Sequence, residues 1–222
     1  MNLQQPMKKS LILCGFVLLG AAGATKAAVV LDADWTVNTA IPDGNPTGIT
    51  VSQSFPNLFT GTITSVSVDL NISGGYNGDL YAYLVYQDAN NNSATEILLN
   101  RIGASPSNPF GSSGSGMTVT LSDGGTVNGS IHNAAGAPTG TWLPDTTATL
   151  SSTFGGMAAD GTWTLFLADM SVGGGTSELN SWGLEVTAVP EPWETGVLFG
   201  IAGMAAAGFE MWKRRRNAQL PL

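Results

Sequence analysis

The chain has 222 residues, room for one ordinary domain with short segments at its ends, and 8 basic against 16 acidic residues give it a net charge of −8. Its one cysteine, Cys14, and one histidine, His132, exclude a disulfide framework and leave no His/Cys set for a zinc centre. Between Ala28 and Val189 a single base, Arg101, faces thirteen carboxylates, a charge of −12 that repels phosphate backbones and excludes nucleic acid as a partner.

The first element is a leader. Lys8 and Lys9 precede the apolar run Leu11–Leu19, and small residues continue to Ala28. This is the charged, apolar and small-residue order of a secretory signal peptide, assigned to residues 1–27, with cleavage after Ala24 or after Ala27. The apolar core is far shorter than the ~20 residues of a spanning helix. Cys14 lies inside that run behind Leu13, without the small residues a lipid-attachment site requires, so the mature protein carries no thiol.

The body, residues 28–187, is rich in Gly, Ser, Thr and Asn, with short apolar or alternating bursts. Strands are expected at Thr62–Leu70, Leu80–Tyr86, Glu96–Leu99, Met117–Leu121, Trp163–Leu167 and Ser181–Val186, separated by glycine clusters. Short strands spaced in this way read as an all-β sandwich or barrel of one domain. Ile102–Gly116 and Gly124–Pro144 are poor in apolar residues and read as long, mobile loops. Trp163, Leu165 and Leu167 alternate, as do Trp182 and Leu184, so each set shares a sheet face. The two tryptophans are expected in the core, paired across neighbouring strands.

After Val186 the character changes. Pro190-Glu191-Pro192 leads into the apolar stretch Trp193–Trp212, interrupted by Glu194 and Glu210, and the basic block Lys213, Arg214, Arg215 and Arg216 follows. An apolar stretch ahead of a basic cluster is a stop-transfer arrangement with the cluster on the cytoplasmic side. This order resembles the PEP-CTERM sorting signal of exported proteins in Gram-negative bacteria that make exopolysaccharide. The resemblance implies Pro190, Glu191 and Pro192 as the recognition element for an exosortase, a membrane transpeptidase-like enzyme. It also implies a transient transmembrane anchor helix and Lys213–Arg216 as the retention charge, within residues 188–216, followed by a short tail at 217–222.

Three pieces of the body carry a second resemblance. They are Gly78-Asp79-Leu80, the run Gly161-Thr162-Trp163-Thr164-Leu165 with Asp169 after it, and Leu179-Asn180-Ser181-Trp182-Gly183-Leu184. Together they resemble the P domain (Homo B domain) of proprotein convertases, a jelly-roll β-sandwich. The resemblance implies a jelly-roll-like antiparallel sandwich in which Gly78, Leu80, Gly161, Trp163, Leu165, Leu179 and Trp182 are structural.

Asp79, Asp160 and Asp169 stand beside turns or strand ends, where an aspartate either caps backbone N–H groups or ligates Ca²⁺. Asp88-Ala89-Asn90-Asn91-Asn92 opens like an EF-hand loop, but Ser93 and Leu99 occupy its glycine and bidentate-glutamate positions, so it reads as a polar hairpin loop. His132 has no Gly-x-Ser-x-Gly nucleophile context. The expectation is therefore a non-catalytic, exported surface or extracellular-matrix protein, structural or adhesive in exopolysaccharide or biofilm. Its partners would be the Sec export machinery, signal peptidase, an exosortase and extracellular polysaccharide. The alternative is a Ca²⁺-dependent glycan-binding or protease-accessory module.

Overall fold

A computed structural model describes residues 29–56 and 61–189. The signal peptide, Pro190-Glu191-Pro192, the anchor stretch and the basic block all lie outside the described residues. No helix among the described residues is long and apolar enough to cross a membrane.

Nine strands are present: β1 (Val29–Ile41), β2 (Asn45–Phe55), β3 (Thr62–Gly74), β4 (Leu80–Asp88), β5 (Ser93–Asn100), β6 (Met117–Ser122), β7 (Thr139–Trp142), β8 (Gly161–Asp169) and β9 (Ser177–Val189). One short helix, α1 (Leu150–Phe154), starts at a capping box between Thr149 and Ser152. The strands form two sheets in the orders β1-β9-β3-β6-β7 and β2-β8-β4-β5. The pairings nest: β4 with β5, β3 with β6, β2 with β8 and β1 with β9, all antiparallel. The fold is thus an all-β sandwich.

Period-two alternation fills the space between the sheets. Val66, Val68, Leu70 and Ile72 of β3 and Trp182, Leu184 and Val186 of β9 point inward, each at most 3% exposed. From the other sheet come Leu80, Ala82, Leu84 and Tyr86 of β4 and Trp163, Leu165 and Leu167 of β8, each at most 1% exposed. Both tryptophans are in the core, as expected, but they do not occupy neighbouring strands. Trp182 belongs to the five-stranded sheet and lies against Trp35 at 5.0 Å between ring centroids. Trp163 belongs to the four-stranded sheet, stacks on Tyr86 at 4.0 Å and meets Phe154 of α1 edge-on. The equal phase seen in sequence reflects two facing sheets, each directing one indole into the shared core.

The motif glycines make room for close approach. A Cβ at Gly78 would sit 2.3 Å from the Phe110 carbonyl oxygen, and one at Gly161 would sit 2.3 Å from that of Gln87. Leu179 is fully buried on β9.

The two segments read as mobile loops are tied down. Ser112 bridges Ile102 and Gly78 through backbone bonds of 2.7 and 2.8 Å, and the Asn108 side chain donates to the Gly103 and Gly111 carbonyls. Gly124–Pro144 contains β7, which pairs in parallel with β6, so part of that stretch is sheet. The Asn77 amide donates to the Gly116 and Gly136 carbonyls and clips both segments to the turn before β4.

The outer faces differ. Asp32, Asp34, Asp69, Glu178 and Glu185 project from the five-stranded sheet, where Asp34 and Asp69 flank Gly183 in one row. From the four-stranded sheet the outward residues are hydroxyls, the rings of Tyr81, Tyr83 and Phe166, the Gln87 amide and the aliphatic Val85 and Ile97.

Candidate functional site

Of the three aspartates singled out by sequence, the fold brings two together. Asp79 ends the tight turn Asn77–Asp79 that delivers the chain into β4, and Asp169 is the last residue of β8. Leu80 pairs with Asp169 in the β4–β8 ladder, which sets the two acids side by side at one end of the sandwich. Asp79 is 4% exposed and Asp169 fully buried. Asp160 stands before the opposite end of β8, about 3.3 Å per residue away along an extended strand, and does not join them. Its backbone carbonyl accepts from Ala89 in the β4–β5 turn.

Asp169 Oδ1 accepts backbone N–H bonds from Ser171 at 3.1 Å and Gly44 at 3.4 Å. Its Oδ2 is buried with no hydrogen-bond partner among the described residues. Asn77 Oδ1, in the turn before β4, and Ser177 Oγ, at the start of β9, are in the same condition. A buried carboxylate oxygen without a donor is costly to keep. Burial, then the neighbouring Asp169 charge, hold the Asp79 carboxyl above the ordinary carboxylate range, against the Ser171 hydrogen bond and the Arg101 charge.

Three neighbours escaped the sequence reading. Arg101, the one base of the body, donates from Nε to the Gly78 carbonyl and from Nη2 to the Pro109 carbonyl and Ser171 Oγ. Ser171 thereby links the arginine to the loop after β8. Asp43 accepts from the Gly173 N–H on both oxygens, at 2.9 and 3.1 Å. The legible signal was Arg101 itself, a lone base in a body of thirteen acids. Tyr76, Phe110, Met170 and Val172 ring this end, four of the six large apolar side chains standing exposed among the described residues.

The donors gathered here are all oxygen, the set that hard cations such as Ca²⁺ take. Two carboxylates supply only part of the 6–8 ligands of Ca²⁺, and no group of three or more His, Cys, Asp or Glu side chains converges among the described residues. Any cation would draw its remaining ligands from hydroxyls, carbonyls and water.

The other candidates are structural. Asp88 accepts from the backbone N–H groups of Asn90 and Asn92 and from the Asn92 amide, fastening the β4–β5 hairpin turn expected there. Burial pushes the Asp88 carboxyl up, but the Asn92 and Asn90 bonds outweigh it and hold it below the ordinary range. His132 Nδ1 meets Asp145 Oδ2 at 2.7 Å and Nε2 meets the Ala104 carbonyl at 3.0 Å. Both partners are acceptors, so the imidazolium is favoured and the histidine titrates above its ordinary value, chiefly through the Asp145 bond. Both ring nitrogens are thus occupied, and the ring straps three loops together.

No family model matches the chain, and no curated protein matches it in sequence. Among solved structures it is similar to the serine protease of Aeromonas sobria in complex with its chaperone, with 18% identity and a TM-score of 0.45 over 74% of this chain and 28% of that one. The same protease alone gives 18% identity and a TM-score of 0.43 over 73% and 27% of the two chains. The chain therefore spans little more than a quarter of the length of the proteins it resembles.

Proposed function

We propose that the chain is an exported, non-catalytic surface or matrix protein, sorted through Pro190-Glu191-Pro192 and acting structurally or adhesively in exopolysaccharide. The observation that carries this reading is the segregation of charge and chemistry along the sequence. Seven of the eight bases lie in the terminal segments, and Pro-Glu-Pro stands directly ahead of an apolar stretch and four consecutive bases. An ordinary tail anchor has no need of the rigid Pro-Glu-Pro.

The body is read as a P-domain-like jelly roll. Nested pairing of β1 with β9, β2 with β8, β3 with β6 and β4 with β5 supports this, with β7 appended at an edge. Its motif residues serve packing and close approach, which favours a scaffold over a reaction centre. Function is argued from site chemistry and not from fold likeness. Here the one histidine is spent on a structural strap.

Glu191→Ala in the producing cell is expected to leave a larger, membrane-retained precursor. Normal processing of that variant would overturn the sorting claim. Residence of the processed wild-type protein in the cytoplasm would overturn the matrix reading.

A second reading adds Ca²⁺ at Asp79 and Asp169, favoured by the buried, unpartnered Asp169 Oδ2. A divalent cation would relieve the mutual repulsion of the two carboxylates and so stabilise the folded state. Millimolar Ca²⁺ is expected to raise the melting temperature relative to chelator, and Asp169→Asn to abolish that rise. Equal melting in the two conditions would remove the metal.

A further inference from the structure

The outer face of the four-stranded sheet bears neither the body's arginine nor any of its thirteen acids. Five acids project from the opposite sheet, while Asp43, Asp79 and Asp169 gather at one end of the sandwich and Asp88 and Asp160 at the other. Glu96 bonds Thr153, Asp123 caps α1, and Asp145 holds His132. What remains on the face is uncharged: three rings, a set of serine and threonine hydroxyls, the Gln87 amide and the aliphatic Val85 and Ile97. Phe166 of β8 stacks on its cross-strand partner Tyr83 of β4, with centroids 4.6 Å apart and planes within 16°. Tyr81 meets Tyr83 edge-on at 6.1 Å. All three side chains are half-buried on the side away from the core. Beside them run two rows of paired hydroxyls, Ser52 with Thr164 and Ser54 with Thr162, each at 2.9 Å.

We propose that this face binds a neutral polysaccharide chain. A pyranose has an apolar C–H face and a hydroxyl rim, and this surface offers the complement to each. Stacking covers one face of each ring, and the electron-rich outer faces of the Tyr83–Phe166 pair attract C–H groups, while rigid tyrosines give contact area at low entropic cost. Each serine and threonine oxygen in the ladders keeps hydrogen-bonding capacity after its cross-strand bond. Charge selects within the class: a carboxylated or sulfated glycan would approach a body of −12, whereas a neutral one meets no field penalty here. An added β-strand is a poor occupant of the aromatic patch, because β8 and β4, which carry the rings, are each paired on both sides, and the edges of this sheet belong to β2 and β5. The proposal rests on the matrix reading above and names the surface that would carry it.

The test is affinity electrophoresis of the full exported chain through gels containing neutral polysaccharides (a soluble glucan, a galactomannan) or alginate. Retardation by at least one neutral polymer, none by alginate, and persistence at molar salt are expected, since no ion pair is involved. Tyr83→Ala and Phe166→Ala should each weaken retardation at least tenfold, while Asp34→Asn on the opposite sheet leaves it unchanged. If Tyr83→Ala does not fold, Tyr81→Ala at the border of the patch and the salt series on the native protein decide. Absence of retardation by every neutral polymer would overturn the proposal. So would a concentration-dependent dimer that Phe166→Ala dissolves, which would make the face an interface between copies. A Tyr83→Ala protein that loses retardation in the gel yet stays in the matrix fraction would overturn the face as the anchoring surface while leaving the matrix reading intact.

Discussion

The two sheets present the same chemistry inward and opposite chemistry outward. In the five-stranded sheet the row Asp34–Gly183–Asp69 places two carboxylates two strands apart, with Glu185 and Asp32 in the next row. At the corresponding depth of the four-stranded sheet the row is Thr50–Phe166–Tyr83–Ile97, with no charge in it. A sandwich needs only that its outer faces be wettable, and Ser/Thr or Asp/Glu meet that need equally well. Placing five acids on one outer face and none on the other, which carries the rings of Tyr81, Tyr83 and Phe166, is therefore not a demand of folding. The acidic face solvates and repels; the neutral face is free to touch something.

The largest expected effect tests the inward likeness. Trp163→Ala and Trp182→Ala should each cost roughly 3–5 kcal/mol in denaturant unfolding. Trp163 should stand at the upper end, because Tyr86 and Phe154 both close on it. Trp182→Phe should cost well under Trp182→Ala, since Trp182 Nε1 is buried with no partner among the described residues. Equal losses for Trp182→Phe and Trp182→Ala would break the equivalence of the two cores.

An intermediate effect separates the sheets by pH. Asp88, at the β4–β5 turn of the neutral sheet, has its folded pKa lowered, so its stabilisation is present above the ordinary 3.8 and is lost as pH falls through the lowered value. Asp88→Ala should cost about 1–3 kcal/mol at neutral pH by orphaning three N–H donors, and the deficit should shrink in acid. A deficit that does not change between pH 7 and the acid limb of unfolding would refute this assignment.

The smallest effect has the opposite sign. Burial, then Asp69 and Asp32, raise the Asp34 carboxyl, so its ionised form opposes the fold as pH rises through the range between 3.8 and that raised value. Asp34→Asn should stabilise the protein by ~0.2–1 kcal/mol at neutral pH, less at high salt. A loss of stability would show that the acidic row holds something together.

Much of the core was legible because burial writes itself into the sequence with period two. The expected strands at Thr62–Leu70, Leu80–Tyr86, Glu96–Leu99, Met117–Leu121, Trp163–Leu167 and Ser181–Val186 lie within β3, β4, β5, β6, β8 and β9. β2 carries Pro46 and Gly48 at a register shift between Asn45 and Ile49, which blunts its pattern. β7 is four residues long and flanked by Pro138 and Gly136. The pairing of sheets was not legible: phase along a strand tells which residues share a face but not which sheet the strand joins, hence the misplaced tryptophan pair. The Asp79–Asp169 contact was half visible, since both residues end elements, yet only the β4–β8 register makes them neighbours. The aromatic face was present in the alternation of Tyr81 and Tyr83 against Leu80, Ala82 and Leu84. It acquires meaning only when Phe166 arrives beside Tyr83 from 83 positions further along the chain.

The β1–β9 ladder sets a timetable for maturation. Ala188 lies opposite Val29, and β9 sits between β1 and β3 as an inner strand of its sheet. The last of the nine described strands to be synthesised is thus the one that joins β1 to the rest of that sheet. Until it arrives, the edges of β1 and β3 are open, and most native contacts span long loops that close slowly. Closure of this sheet is therefore a late step, and a chain halted before residue 189 would leave those two edges open and sticky.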